Sequence, residues 1–143
     1  MVGKLTDMTE NTETPNTATT AIAELAMVSL DCADPKAEAD FWSAVLGWSR
    51  AYEAESYAML KGGAGAAIGF GKVDDYQPPA WPNPQGTKQF HFDLGVDDIA
   101  DAERRCVALG ATVPDDQPGE ERWRVLLDPA GHPFCLTLLS NWS

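Results

Sequence analysis

The chain has 143 residues and carries 22 acidic against 10 basic side chains, which gives a net charge of −12 at neutral pH. This length suits one small domain, and the acidity argues against nucleic acids and anionic membranes as partners, because both are bound through Lys and Arg. Three cysteines without a Cys-x-x-Cys spacing, no signal-peptide pattern and no apolar run of membrane-spanning length predict a cytoplasmic protein without disulfides.

The first predicted elements are a tail and a strand. Residues 1–22 are polar and rich in Thr, which predicts a disordered tail. Residues 23–32 have the pattern of a buried strand that carries Met27 on one of its faces.

A helix and a hairpin complete the first half of the chain. Asp34 followed by Pro35 is typical of a helix start, and Gly47 is typical of a left-handed helix end. Residues 57–60 and 66–70 then predict two strands around a Gly-rich turn. The turn lacks the Lys-Ser/Thr ending of a phosphate-binding loop, so it favours a β-hairpin.

The second half begins after a proline-rich segment. Residues 76–87 predict a stiff linker between the two halves. Residues 88–96 predict a strand, and the alternation of side chains puts His91 and Asp93 on the same face. A helix with an Asp cap follows over residues 99–109. The remaining predicted strands begin at 112–113 and cover 123–127 and 134–139.

The two halves repeat one pattern. In each half a strand leads into a capped helix, and the helices end at Leu46-Gly47 and Leu109-Gly110. The offset at the opening strands is about 64 residues, which pairs Met27 with His91. If the copies form one pocket, both side chains enter it from equivalent strands, and only the histidine is a common metal ligand.

Several short motifs carry a resemblance to a known family. They are Leu30-Asp31-Cys32-Ala33-Asp34-Pro35, Phe41-Trp42 and Leu46-Gly47-Trp48, then Phe90-His91-Phe92-Asp93-Leu94, Val96-Asp97-Asp98, Leu109-Gly110-Ala111 and Asp128-Pro129-Ala130-Gly131-His132-Pro133-Phe134-Cys135. With them the chain resembles the vicinal-oxygen-chelate superfamily, in its glyoxalase-like and bleomycin-resistance-like branch. The resemblance implies an α+β fold within a single domain, residues 23–143. Two βαβββ modules, residues 23–75 and 88–139, would curve their sheets around a ligand cleft.

The resemblance also implies where a metal ion would bind. Metal-dependent members place one ligand on the first and one on the last strand of each module, which here gives Met27, residues 67–69, His91 and Cys135. Only His91 is a conventional ligand for a hard divalent ion, so we expect no metal ion and no cofactor. A soft ion such as Cu(I), held by Met27, His91 and Cys135, is the alternative.

His91 and Asp93 are the candidate catalytic residues. They share the strand face that the superfamily turns toward its cleft, and an imidazole is suited to acid–base chemistry near neutral pH. The alternative is a histidine of the interior whose hydrogen bonds are satisfied within the fold.

Further side chains are candidates for ligand binding. Trp123 offers a flat surface for stacking, or is a buried aromatic of its strand. The neighbouring Arg124 suits bidentate pairing with an anionic ligand, or offsets local acids. Tyr57 lies in a segment expected to border the cleft. Met27 and Cys135 belong to the strands of the same inferred site, although a cysteine there also suits a buried apolar position.

We interpret the chain as a metal-poor glyoxalase-like protein whose cleft binds a small organic molecule. It would act either as a drug- or metabolite-binding, sequestering protein or as a metal-independent enzyme. The alternative is a metal-dependent lyase, isomerase or dioxygenase of the same superfamily with altered ligands, and a third interpretation is an interaction subunit whose cleft is filled by its own side chains. Superfamily members commonly dimerise and open sheet edges need cover, so a homodimer is expected.

Overall fold

A computed structural model describes residues 21–142, so the predicted tail falls almost entirely outside the described residues. The elements in chain order are β1 (Met27–Cys32), α1 (Pro35–Leu46), β2 (Ser49–Ala54), β3 (Tyr57–Lys61), β4 (Ala67–Lys72), β5 (Phe92–Val96), α2 (Ile99–Ala108), β6 (Trp123–Leu127), β7 (Pro133–Leu138) and a closing 3-10 helix (Leu139–Trp142).

The strands form two separate sheets, one for each half of the chain. The four-stranded sheet of module one has the order β1-β4-β3-β2, and the three-stranded sheet of module two has the order β5-β7-β6. In each module the first strand runs parallel to the last one, whereas the other pairs are antiparallel. The α+β fold of two related modules is therefore confirmed, with sheets that do not close on each other.

Both helices begin and end where local chemistry predicts. The Asp34 side chain accepts a hydrogen bond from the amide of Ala37 at the start of α1, and the Asp98 side chain does the same for α2. Gly47 adopts φ 72° after α1, a left-handed conformation that glycine tolerates without strain. The predicted helices are confirmed, and α2 ends at Ala108, one residue earlier than expected.

The predicted opening strands of both modules are too long, because in each module the partner strand limits where pairing begins. β1 starts at Met27 because its partner β4 starts at Ala67, which lies directly opposite. β5 starts at Phe92, opposite Phe134, because the preceding residue of β7 is Pro133. Proline has no backbone N–H to donate, so the ladder does not extend to residues 88–91.

Two further differences concern short strands. β2 is a regular strand paired with β3, yet most of its side chains are exposed and the sequence carries no apolar alternation there. The strand expected at residues 112–113 is reduced to a single bridge between Thr112 and Leu127. Module two therefore has one strand fewer than module one.

An aromatic cluster joins the two modules into one core. The indole of Trp42, on α1 of module one, lies 4.9 Å from the ring of Phe134 and 5.2 Å from that of Phe92, both in module two. The rings meet edge to face, the arrangement that their quadrupoles favour. Phe41 also reaches Phe134, at 6.0 Å. Burying each such side chain contributes about 1.5–3 kcal/mol.

The polar contacts between the modules meet at one turn, residues 128–132, which we call the inter-module turn. Trp42 Nε1 donates to Asp128 Oδ2 at 2.9 Å, and the amide of Ala130 donates to Glu38 Oε1 at 2.8 Å. The imidazole Nε2 of His132 lies 2.6 Å from the carbonyl oxygen of Asp31. Within residues 21–142, every side-chain hydrogen bond between modules one and two ends on this turn.

Trp42→Phe is expected to destabilise the protein by about 1–3 kcal/mol, because it leaves a buried carboxylate oxygen of Asp128 without its donor while retaining an aromatic ring. Urea denaturation followed by circular dichroism measures the loss. Trp48→Phe is the matched control, since that indole packs on Gly62 within module one. Equal losses in the two variants would show that ring size, and not the hydrogen bond, decides the effect.

Candidate functional site

Strand register brings three reactive side chains together on one face of module two. His91 immediately precedes β5, and Asp93 is the second residue of that strand, directly opposite Cys135 of β7. The intervening Phe92 points the other way and packs on the core. The sequence therefore sorts acid–base groups to one face of β5 and apolar groups to the other.

These side chains line a cavity of about 390 Å³, which we call the module-two pocket. Its walls are aromatic, because three of the five tryptophans of the chain, Trp81, Trp123 and Trp142, border it. Lys88 contributes an ammonium group to the same pocket. The pocket is thus a largely apolar chamber with a few polar groups, the usual composition of a small-molecule site.

The geometry of the reactive cluster favours proton sharing over nucleophilic attack. His91 Nε2 lies 3.3 Å from Asp93 Oδ1, and the two side chains are 33% and 45% exposed. The ligand atoms of His91, Asp93 and Cys135 all lie within 4.8 Å of one another. Burial and then the Asp93 carboxylate raise the pKa of Cys135 to about 11. The cysteine is therefore a neutral thiol at pH 7 and a poor nucleophile.

The tryptophan walls are held in place from outside the pocket. Trp81 Nε1 donates to the carbonyl oxygen of Asp116 at 2.9 Å, and the Lys88 ammonium lies 5.5 Å from the Trp81 ring. The Arg122 guanidinium stacks over Trp123 at 5.0 Å, a cation–π distance. Gly119 lies against the same indole, so close that an added Cβ would come within 2.4 Å of it.

The repeat gives each reactive residue a counterpart in module one, and none of these counterparts ionises near neutral pH. Ser29 pairs with Gly69 in β1 and β4 as Asp93 pairs with Cys135 in β5 and β7. By the same register Met27 takes the place of His91. Among these paired positions, the ionisable side chains therefore belong to module two.

The equivalent face of module one is filled by its own side chains. Tyr57, at the register position of Trp123, donates its hydroxyl to Met27 Sδ at 2.8 Å. The phenol fits there because Gly69 has no side chain, and a Cβ on Gly69 would lie only 2.2 Å from the Tyr57 hydroxyl. In module two the side chain of Cys135 stands at that position, and the pocket remains open.

A larger cavity of about 880 Å³ lies between the modules. β1 and Tyr76 line it from one side and residues 87–92 from the other, so Met27 and His91 meet here and not in the module-two pocket. His91 also borders a third cavity of about 490 Å³ beside Leu46. Of the described residues, His91 is the one that reaches all three cavities.

Comparison with known proteins assigns the chain to a family. Residues 27–137 match the family model of a glyoxalase-like domain. The chain belongs to this family. The resemblance to the vicinal-oxygen-chelate superfamily that the motifs predict is therefore confirmed. No protein of curated function matches the sequence significantly.

Solved structures with this glyoxalase-like fold have low sequence identity to the chain. A glyoxalase/bleomycin resistance protein/dioxygenase family enzyme from Burkholderia phytofirmans PsJN is 20% identical, with TM-score 0.60, over 80% of this chain and 97% of its own. The bleomycin-binding protein of Streptomyces verticillus is 16% identical, with TM-score 0.52, over 83% and 98%. The oxidase ChaP-H2 is 19% identical, with TM-score 0.55, over 81% and 93%. At these identities the likeness shows the shared fold.

The predicted site residues divide into three groups. His91, Asp93, Trp123 and Cys135 come together in the module-two pocket, whereas Met27 and Tyr57 contact each other in module one. Arg124 points away from the pocket, and its Nε donates to Glu103 Oε1 of α2 at 2.7 Å. This orientation follows from strand alternation, because neighbours such as Trp123 and Arg124 face opposite sides of β6.

Sequence reasoning missed residues that matter to these cavities. Trp142 lines the pocket from the closing 3-10 helix, outside the repeat. Lys88 also lines it, although the alternation of the predicted strand 88–96 puts it on the face opposite His91. Glu38 was also missed, although a signal exists. It lies three and four positions before Phe41 and Trp42, which puts it on the buried face of α1.

The residues present do not fit the four-position metal site that the superfamily implies. In module one Met27 supplies only a thioether, and Gly69, the counterpart of Cys135, supplies no side chain at all. In module two His91 and Asp93 are suitable donors, whereas the Cys135 thiol is a soft donor that a hard divalent ion disfavours. A divalent ion bound there would find its remaining ligands in water.

Within the described residues, neither helix has the length and hydrophobicity needed to span a lipid bilayer.

Gly69→Ala is expected to destabilise the fold by about 1–3 kcal/mol, because the new Cβ overlaps the Tyr57 hydroxyl. Thermal unfolding measures the loss. Gly71→Ala on the same strand is the control, since the nearest atom of Tyr57 is 4.0 Å from an added Cβ. Tyr57→Phe combined with Gly69→Ala should recover part of the stability. Equal losses at both glycines would contradict the packing of Tyr57 on Gly69.

Proposed function

We propose that the chain binds a small organic molecule in the module-two pocket without a metal ion. It acts as a drug- or metabolite-binding protein, or as an enzyme in which His91 and Asp93 transfer protons. The observation that supports this is a cavity of about 390 Å³ that combines three tryptophans with the His91–Asp93 pair. This volume falls within the range of about 300–1,000 Å³ that is usual for ligand sites.

Each group of the pocket has a role in such binding. The rings of Trp81, Trp123 and Trp142 supply flat apolar surfaces against which a planar ligand can stack. Asp93 stands beside Nε2 of His91 and orients the imidazole, which leaves Nδ1 to exchange a hydrogen bond or a proton with the ligand. Cys135 lines the same pocket as a neutral thiol.

The comparisons support small-molecule binding as a class. The similar fold from Streptomyces verticillus is a bleomycin-binding protein seen with copper(II)-bleomycin, and the similar fold of ChaP-H2 is that of an oxidase. The fold therefore hosts both binding and catalysis, and the choice between them for this chain depends on its own site.

A metal-dependent lyase, isomerase or dioxygenase is the second candidate. The observation that favours it is the convergence of His91, Asp93 and Cys135, whose ligand atoms lie within 4.8 Å of one another. Imidazole, carboxylate and thiolate form a mixed donor set that suits a borderline ion such as Zn²⁺.

His91→Ala is expected to weaken ligand binding by roughly 1–3 kcal/mol with little change in melting temperature, because its imidazole contacts the ligand and not the core. The ligand is first found by a thermal-shift screen of planar metabolites and cationic drugs, where saturation at a hundred times Kd adds about 2.7 kcal/mol. Titration of wild type and variant with that compound then measures the loss.

His132→Ala is the matched control, since the chain has two histidines and His132 bonds to Asp31 and Tyr76 within the fold. It should lower the melting temperature and spare affinity for the same compound. A reversed pattern, with His91→Ala costing stability and leaving affinity unchanged, would remove His91 from the site.

Titration calorimetry with Zn²⁺, Ni²⁺, Mn²⁺ and Fe²⁺ is expected to show no site of micromolar or tighter affinity. One histidine, one exposed carboxylate and a protonated thiol do not supply the roughly 8 kcal/mol that micromolar binding requires. A one-to-one micromolar site that disappears in Cys135→Ser would instead establish the metal-dependent alternative.

A further inference from the structure

Two buried acids from different modules face each other beneath the inter-module turn. Glu38 of α1 is 1% exposed and Asp128, which opens the turn, is 3% exposed. Within the described chain these are the two buried charged residues. Burial of an ionised carboxylate is costly unless hydrogen bonds or a cation compensate it.

The two carboxyl groups share one donor. The amide of Ala130 lies 2.8 Å from Glu38 Oε1 and 3.0 Å from Asp128 Oδ1. Because both oxygens accept from the same N–H, they lie close together. Asp128 has two further donors, the amide of His132 at 2.8 Å and Trp42 Nε1 at 2.9 Å.

Glu38 is less well satisfied than Asp128. Its Oε2 is buried and has no hydrogen-bond partner in the structure. A buried oxygen without a donor is explained if it carries a proton of its own and points it at the neighbouring carboxylate. Asp128, with three donors, is then the ionised member of the pair.

Within residues 21–142, neither acid forms an ion pair with a Lys or Arg side chain. The titratable groups that interact with both acids are Cys32 on β1 and Tyr76 in the linker. Two further acids lie nearby, Asp34 acting on Cys32 and Asp31 acting on Tyr76. The ring of His132 is engaged with the Asp31 carbonyl and the Tyr76 hydroxyl. Desolvation, then the contact with Asp128, raises the pKa of Glu38 to about 9.

We propose that Glu38 and Asp128 hold one proton between them and that this proton locks module one onto module two, so that the lock weakens as pH rises. Loss of the proton would leave two negative charges side by side in a desolvated space. The inter-module turn would then lose its hold on α1.

The lock controls the walls of two cavities. Asp128 and His132 line the inter-module cavity, and β7 begins immediately after the turn and carries Cys135 into the module-two pocket. Protonation of one carboxyl is therefore linked to the shape of both spaces, whatever ligand they hold.

The direction of the pH effect follows from linkage. Glu38 ordinarily titrates near 4.5 and does so near 9 in the folded protein, so the folded state binds the extra proton between these values. The stability contributed by the proton is complete below the lower value and is lost as pH rises through the upper one.

Glu38→Gln tests the lock, because the amide imitates the protonated acid and cannot ionise. The melting temperature of wild type should fall by at least about 5 °C more than that of the variant between pH 5 and pH 9. Glu55→Gln, at an exposed acid, is the control and should follow the wild-type profile. Comparison of the three profiles cancels the titration of every other group.

Asp128→Asn and nuclear magnetic resonance complete the test. Asp128→Asn should lower stability at every pH, because an amide nitrogen replaces one carboxylate oxygen and cannot accept a hydrogen bond from the donors on that side. The amide proton of Ala130 should show a titration above neutral pH in wild type that is absent in Glu38→Gln. Parallel pH profiles of wild type and Glu38→Gln, or equal destabilisation by Glu38→Gln and Asp128→Asn at pH 6, would overturn the proposal.

Discussion

The indole of Trp42, on α1 of module one, packs against module two and holds the two modules together. The relative position of the cavity-lining strands depends on this contact. The Trp42 ring packs between Phe92 and Phe134, while its N–H reaches Asp128. The apolar part of this contact supplies most of the free energy, because burial of aromatic surface is larger and less directional than one hydrogen bond. The hydrogen bond from the indole N–H to Asp128 fixes which part of the inter-module turn faces α1.

Asp128 converts this single contact into an arrangement of the whole site. One of its oxygens accepts amides of its own turn, from Ala130 and His132, and so determines how the turn folds. The other oxygen accepts the Trp42 donor from the opposite module. The Asp128 carboxylate therefore stabilises both the conformation of its own turn and the contact between the two modules. β7 starts directly afterwards, and its register with β5 brings Cys135 beside Asp93.

How far the sequence predicts this molecule depends on the range of the interactions involved. The helix ends at Asp34, Gly47 and Asp98 could be predicted, because caps are satisfied by residues a few positions away. β2 could not, since its exposed side chains form a strand only by pairing with β3. Alternation alone placed His91 with Asp93. For Arg124 the sequence leaves open a ligand contact or pairing with local acids, and in the structure the side chain pairs with Glu103.

The least predictable feature is the burial of two acids. Composition treats Glu38 and Asp128 as ordinary members of a strongly acidic chain. Only the tertiary fold brings an α1 side chain beneath a turn from the other half of the chain, and no local signal encodes that meeting. The spacing of Glu38 to Trp42 indicates a buried helix face, but it does not name the partner.

Because Gly69 has no side chain, the equivalent faces of the two modules differ. In module one the phenol of Tyr57, from the neighbouring strand, fills the space beside Met27. The Tyr57 side chain is held there by van der Waals packing and by one weak hydrogen bond to the sulfur of Met27. The difference between the filled face of module one and the open pocket of module two therefore depends on two register positions. These hold Tyr57 and Gly69 in module one, and Trp123 and Cys135 in module two.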